Sequence, residues 1–179
     1  SAPFTDEDIA TRPEDELARA GQKRRLNRNF QGYTVLEPTH VLALGLSAIA
    51  DAGGSYLQNA KKLADYYAAI EAGELPVEKG MRLSAEDHLR RRVITDLMCN
   101  LYVDFDAIDE RFGIAFEEHF AGALAQMAPL VADGLVVRHP RALEITERGR
   151  VFMRNVAMPF DEYLGKARQS DAPRFSRTV

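Results

Sequence analysis

The chain has 179 residues, 46% hydrophobic and 28% charged, with a formal net charge of -4. That length suits one core, or one and a half, and the balance excludes wholesale disorder and fibrous repeats. A single cysteine, Cys99, excludes an internal disulfide and any cluster of thiolate ligands within the chain.

No apolar run approaches the roughly 18 residues that span a bilayer, and the opening has no basic segment followed by a hydrophobic one. The expected location is therefore cytoplasmic, with no membrane partner. Residue 1 is Ser rather than Met, and the acidic, turn-like opening "SAPFTDEDIATRPEDE" reads as the edge of a cut piece.

Pro13 to Leu26 carries acids early and bases late, which suits a helix dipole, although Gly21 weakens a continuous helix. "FQGYTV" is aromatic and β-branched and reads as a strand, with Gly32 as a bulge or a close backbone approach. The turn "LEPTH" leads to "VLALGLSAIA", read as a buried strand. "DAGGSYLQN" then reads as a loop opened by Gly53 and Gly54. "KKLADYYAAIEAGELPV" follows as an amphipathic helix through Leu63, Tyr66, Tyr67 and Ile70, stopped by Gly73 and Pro76.

From Ser84 the pattern turns helical. "SAED" is a capping box, and behind it Leu89, Val93, Leu97 and Leu101 recur on one side, with Ile94 and Met98 beside them. Cys99 falls near that apolar edge and reads as packing. "DFDAIDERFG" predicts a second helix, "FEEHFAGALAQMAPLVADG" a third, "LVVRHPRALEIT" two strands around Pro140, and "ERGRVFMRNVAMPFDEYL" a last helix broken at Pro159. The fold class is α+β, mainly helical: residues 81–179 spell a winged-helix-like domain, preceded by strands in residues 1–80.

A winged helix invites a DNA-binding reading, with the third helix in the major groove. Gly113 to Val137 contains no Lys or Arg, however, and carries Glu117, Glu118 and Asp133, so it would meet phosphates with repulsion. Nucleic acid is not an expected partner. His40, His88, His119 and His139 stand singly, without metal-ligand spacing, and P-loop, GxGxxG and GxSxG signatures are absent. "KRRLNR", Lys23 to Arg28, is the one dense basic cluster; it suits a solvated helix end or a substrate with several carboxylates.

"RNFQGYT", "GLSAIADAGGSYLQN", "LRRRVITDLMCNLYVDF", "APLVADGLV", "ITERGRVFMRNVAMPFDEYL" and "FSRTV" together resemble the C-terminal part of the oxygen-independent coproporphyrinogen III oxidases, radical S-adenosylmethionine (SAM) enzymes of haem biosynthesis. The resemblance runs from about Arg12 to Val179. It implies an open β/α barrel holding a 4Fe-4S cluster and SAM, with residues 1–80 as its distal remnant and 81–179 as a helical cover. The implied reaction is the oxidative decarboxylation of two propionates of coproporphyrinogen III, giving protoporphyrinogen IX.

The CxxxCxxC cluster ligands of that family are not in this sequence. A fragment is therefore expected, inactive by itself and without a bound cofactor, taken from a monomeric enzyme and able to self-associate through exposed strand edges. Carried over by the resemblance, Phe30, Gln31 and Ile49 match positions near a second SAM: two apolar walls and one polar contact. Charge logic adds Arg28 as a partner for a substrate carboxylate. Tyr56, Gln58 and Asn59 belong to the same pattern, as ligand contacts or as loop-fixing hydrogen bonds. The alternatives are a non-catalytic tetrapyrrole-binding or haem-binding module and a winged-helix interaction domain.

Overall fold

Asp15 opens the first described helix, α1 (Glu16–Gln22), by accepting a hydrogen bond from the Leu17 amide at 2.9 Å. The structure, a computed structural model, describes residues 15–29, 32–36 and 40–164. Helix α1 stops short of the expected Leu26, because Arg24 turns left-handed (φ 55°) and its amide bonds back to the Gly21 carbonyl. Next come two short antiparallel strands, β1 (Asn27–Asn29) and β2 (Gly32–Thr34), pairing Arg28 with Tyr33 and Asn29 with Gly32. The single strand expected over "FQGYTV" is thus the second half of a ribbon. Its first half was expected at the end of a helix.

The chain divides into two compact units: Leu36–His88, and the residues up to Val35 together with those from Leu89 onward. In the first, β3 (Ile49–Ala52), β4 (Ser55–Asn59) and β5 (Val77–Arg82) form an antiparallel sheet in the order β3-β4-β5. Gly53 and Gly54, both left-handed (φ 59° and 70°), close the β3-β4 hairpin, so "SYLQN" is a strand rather than the expected loop. "VLALGLSAIA" is not a buried strand. Val41 makes one bridge to Asp51, while Leu42 and Leu44 are 76% and 89% exposed. Helix α2 (Leu63–Glu71) forms as expected but buries no residue, and Leu63, Tyr67 and Ile70 stand exposed.

The second unit holds the main core. Helix α3 (Ala85–Asn100) starts at the predicted capping box: Asp87 N donates to Ser84 Oγ at 3.1 Å, and Asp87 Oδ2 accepts from Ser84 N at 2.8 Å. Its Leu89, Val93 and Leu97 are buried, as the spacing predicts. Strand β6 (Tyr102–Asp104) leads into α4 (Phe105–Phe112), capped by Asp104 and ended by left-handed Gly113. The expected third helix is three pieces, α5 (Phe116–His119), α6 (Ala121–Gln126) and α7 (Ala128–Ala132), the last starting with Pro129 in its first turn.

The hairpin β7 (Val136–His139) and β8 (Ala142–Ile145) joins β6 in a sheet of order β6-β8-β7. Helix α8 (Met153–Ala157) is flanked by 3-10 turns at Arg150–Phe152 and Met158–Phe160, the second containing Pro159. Phe105 stacks on Phe116 with ring centroids 4.1 Å apart, and Phe120 and Phe160 close over them. Each fully buried ring contributes roughly 1.5–3 kcal/mol. Helices and small antiparallel sheets make the α+β class, with a winged-helix-like arrangement in this unit.

Candidate functional site

The β1-β2 ribbon is fixed at its base. Leu26 is 3% exposed, and the Asn100 carboxamide at the end of α3 bonds both of its backbone polar groups: Leu26 N donates to Asn100 Oδ1 at 2.9 Å, and Asn100 Nδ2 donates to the Leu26 carbonyl at 3.2 Å. One cross-strand pair lies further up, with the Arg28 guanidinium 5.6 Å from the centre of the Tyr33 ring. Burial chiefly, with Cys99 adding to it, raises the Tyr33 hydroxyl above its ordinary range, and the cations of Arg28 and Arg150 oppose the shift. Phe30 and Gln31, between the two strands, lie outside the described residues.

Below the ribbon, burial pushes the Cys99 thiol up to about 11, against the lowering effect of Arg28. It is a protonated, packed sulfhydryl at neutral pH, neither nucleophile nor thiolate ligand. Asp96, 9% exposed, is also raised by burial, opposed by hydrogen bonds from Arg92 (2.8 Å) and Asn100 (3.4 Å).

Ile49 belongs to the other unit. It starts β3, pairs with Gln58 and is 37% exposed, while its neighbour Ala50 is buried. Strand β4 supports it from behind. Asn59 is 4% exposed and donates through Nδ2 to the Gly45 carbonyl at 2.9 Å, and its amide donates to the Ala48 carbonyl at 2.9 Å. Gln58 Nε2 donates to the Ser47 carbonyl at 3.4 Å. Asn59 and Gln58 therefore make loop-fixing hydrogen bonds into the segment that leads into Ile49.

Within the basic cluster, Arg24 is spent on structure: its guanidinium lies 3.8 Å from the Tyr102 ring centre and 3.1 Å from Glu144. Glu144 also meets His139 at 3.0 Å, and the wing is tied to α4 and α5 by Arg141, which reaches Asp106, Asp109 and Glu117. His40 accepts from the Gly53 amide at 3.4 Å and His119 sits edge-on to Phe120. No group of three His, Cys, Asp or Glu residues is assembled for a metal among the described residues. A groove of about 330 Å³ beside α7 is lined by Pro129, Leu130, Asn155 and Met158, and neither Arg28 nor Ile49 is among the residues that line it.

Residues 83–152 match the HemN C-terminal domain. That stretch is a HemN C-terminal domain. Proteins named oxygen-independent coproporphyrinogen III oxidase are similar to it along most of its length: that of Salmonella typhimurium is 41% identical over 98% of this chain and 38% of its own, and that of Helicobacter pylori 39% identical over 96% and 37%. The solved structure described as "Coproporphyrinogen III oxidase (HemN) from Escherichia coli is a Radical SAM enzyme" superposes with a TM-score of 0.82 at 40% identity, covering 85% of this chain and 35% of that one. The chain thus spans little more than a third of the length of these HemN relatives. Its HemN C-terminal domain begins just before the Ser84 cap and ends with the 3-10 turn at Phe152.

No helix among the described residues is long and apolar enough to cross a membrane. Asn100 and Tyr33 were not singled out by sequence. An Asn at a helix end signals a local cap at most, and a partner 74 positions away leaves no local pattern.

Proposed function

We propose that this chain is the C-terminal portion of an oxygen-independent coproporphyrinogen III oxidase that acts in the cytoplasm. It supplies part of the wall and the cover of a cavity in which the rest of the polypeptide performs the chemistry. The observation that carries this is about 40% identity over nearly the whole chain, joined to a TM-score of 0.82 against a radical SAM relative.

The residues present do not fit the iron-sulfur group such an enzyme needs. The one thiol is buried and protonated, and no step of cluster chemistry is assigned to this chain. SAM fits better with what is exposed. Ile49 offers an apolar side chain at the end of a loop held by Asn59; Phe30 and Gln31 are proposed as SAM contacts from the family resemblance alone. In the whole enzyme, bound SAM and cluster supply hydrogen abstraction from a propionate. This chain's contribution is to orient the ligands and exclude water.

Arg28 is proposed as a partner for a substrate carboxylate; its exposed position supports this, with Tyr33 behind the guanidinium. Residues 1–80 are proposed as the distal part of the catalytic domain and 81–179 as its cover. Exposed Leu42, Leu44, Leu63, Ile70 and Leu75 on the 36–88 unit support that division, because a unit with so few buried residues lacks the surface it packs against.

The test is anaerobic turnover of coproporphyrinogen III by the full-length enzyme that carries this sequence, supplied with SAM and a reductant. Protoporphyrinogen IX is the expected product. A full-length protein that binds haem or tetrapyrrole tightly yet yields none would favour the non-catalytic carrier instead.

A further inference from the structure

The two sides of the β3-β4-β5 sheet end differently. On one side β5 is exposed along its whole length and carries Glu78, Lys79 and Arg82, the charges with which a free edge resists pairing. On the other, Val41 lies against β3: its amide donates to the Asp51 carbonyl and its carbonyl accepts from the Asp51 amide, both at 2.8 Å. Residues 41–50 contain no charge and no proline. That side has none of the usual defences of an edge.

Exposure alternates along Val41 to Leu44, half-buried at 41 and 43 and exposed at 42 and 44. Such alternation is that of extended chain, in which successive residues turn their N–H and C=O groups to opposite sides. With the Val41 groups bonded to β3, those of Leu42 and Leu44 face away from the sheet. Among the described residues they make no hydrogen bond. The side chains are inverted too, with leucine standing exposed where a solvated edge would carry polar residues. The unit has little to cover them with, since its buried apolar residues are Ala50, Ala60 and Pro76.

We propose that Val41–Leu44 is an open sheet edge that receives a strand from the N-terminal portion of the same polypeptide, whose apolar side chains cover Leu42 and Leu44. This rests on the reading of the chain as a C-terminal portion: it covers 38% of the Salmonella typhimurium relative and contains the HemN C-terminal domain. A second copy fits less well. Two leucines from each copy fall far short of the roughly 1,200 Å² that a stable interface between separate proteins buries. A strand of the same polypeptide needs no such area, because covalent linkage keeps it close.

The experiment is amide hydrogen exchange on the full-length enzyme that carries this sequence, read on overlapping peptides across 41–47 and 77–82. Leu42 and Leu44 should exchange at least about 100-fold more slowly than an unstructured chain of the same sequence, at every protein concentration, while the outward amides of β5 exchange within about tenfold of it. In Leu44→Pro, which removes one outward donor and leaves the Val41-Asp51 pair intact, protection of Leu42 should be lost while β4 keeps its own. Leu42 and Leu44 exchanging at the unstructured rate in the unsubstituted enzyme overturns the proposal, whether or not Leu44→Pro folds. Protection that disappears on dilution, in step with a dimer seen by sedimentation, also overturns it and assigns the edge to a second copy. Turnover plays no part in this readout: a protein that protects Leu42 and Leu44 yet forms no protoporphyrinogen IX refutes the oxidase reading and upholds the pairing.

Discussion

Asn59 and Gly45 are joined by a side-chain hydrogen bond of 2.9 Å that fixes the loop entering β3, and the Asn59 side chain making it is almost wholly buried. Removing the carboxamide leaves the Gly45 carbonyl without this donor. Asn59→Ala is expected to cost about 1–3 kcal/mol in urea unfolding of the Leu36–His88 unit. It should also weaken SAM dependence in the full-length enzyme, since Ile49 rides on that loop. Unfolding with no change in midpoint would show that the loop is held by other contacts.

Glycines separate backbone geometry from packing. A Cβ on Gly149 would lie 2.0 Å from the Leu135 carbonyl oxygen, which is backbone and has no room to yield. Gly149→Ala is expected to destabilise by about 3 kcal/mol or more. Gly122, inside α6, has nothing within 4 Å of the same added atom, and Gly122→Ala is expected to stabilise by about 0.5–1 kcal/mol through helix propensity. Thermal unfolding of the two variants side by side checks the sign as well as the size.

Stability should fall on the alkaline side. The folded state keeps the Cys99 thiol protonated up to about 11, against an ordinary value of 9.0. Below pH 9 the thiol is protonated in both states, and the stability associated with it is fully present. Between 9 and 11 only the unfolded state releases the proton, and that stability drains away. Tyr33, raised above 10.0 chiefly by burial, acts in the same direction. Urea midpoints between pH 8 and 11 should decline, less steeply in Cys99→Ala. Equal slopes would place the thiol in water, as would rapid labelling by a thiol reagent at pH 7.

What local sequence shows and hides follows from range. Ser84-Asp87 and the Leu89, Val93, Leu97 ladder were legible because a cap and a helix face repeat within one or two turns. "VLALGLSAIA" misled because apolar density predicts burial without saying against what, and Leu42 and Leu44 stand exposed among the described residues. Gly53-Gly54 was read as an open loop although two left-handed glycines are also what a tight hairpin needs, and strand β4 was lost with it. Strand β6 falls at the junction between the first two predicted helices, where no strand is expected. It exists because β8 pairs with it some forty positions later. The Asn100-Leu26 contact lies beyond any local pattern.

The most direct test of the central claim joins two purified halves under anaerobic conditions: this chain, and the remaining N-terminal portion of the same enzyme reconstituted with iron and sulfide. Protoporphyrinogen IX should form from coproporphyrinogen III only when both are present with SAM and a reductant. Turnover by this chain alone would contradict the account, because its single buried thiol cannot anchor the cluster that the reaction requires; so would undiminished turnover by the N-terminal portion without it.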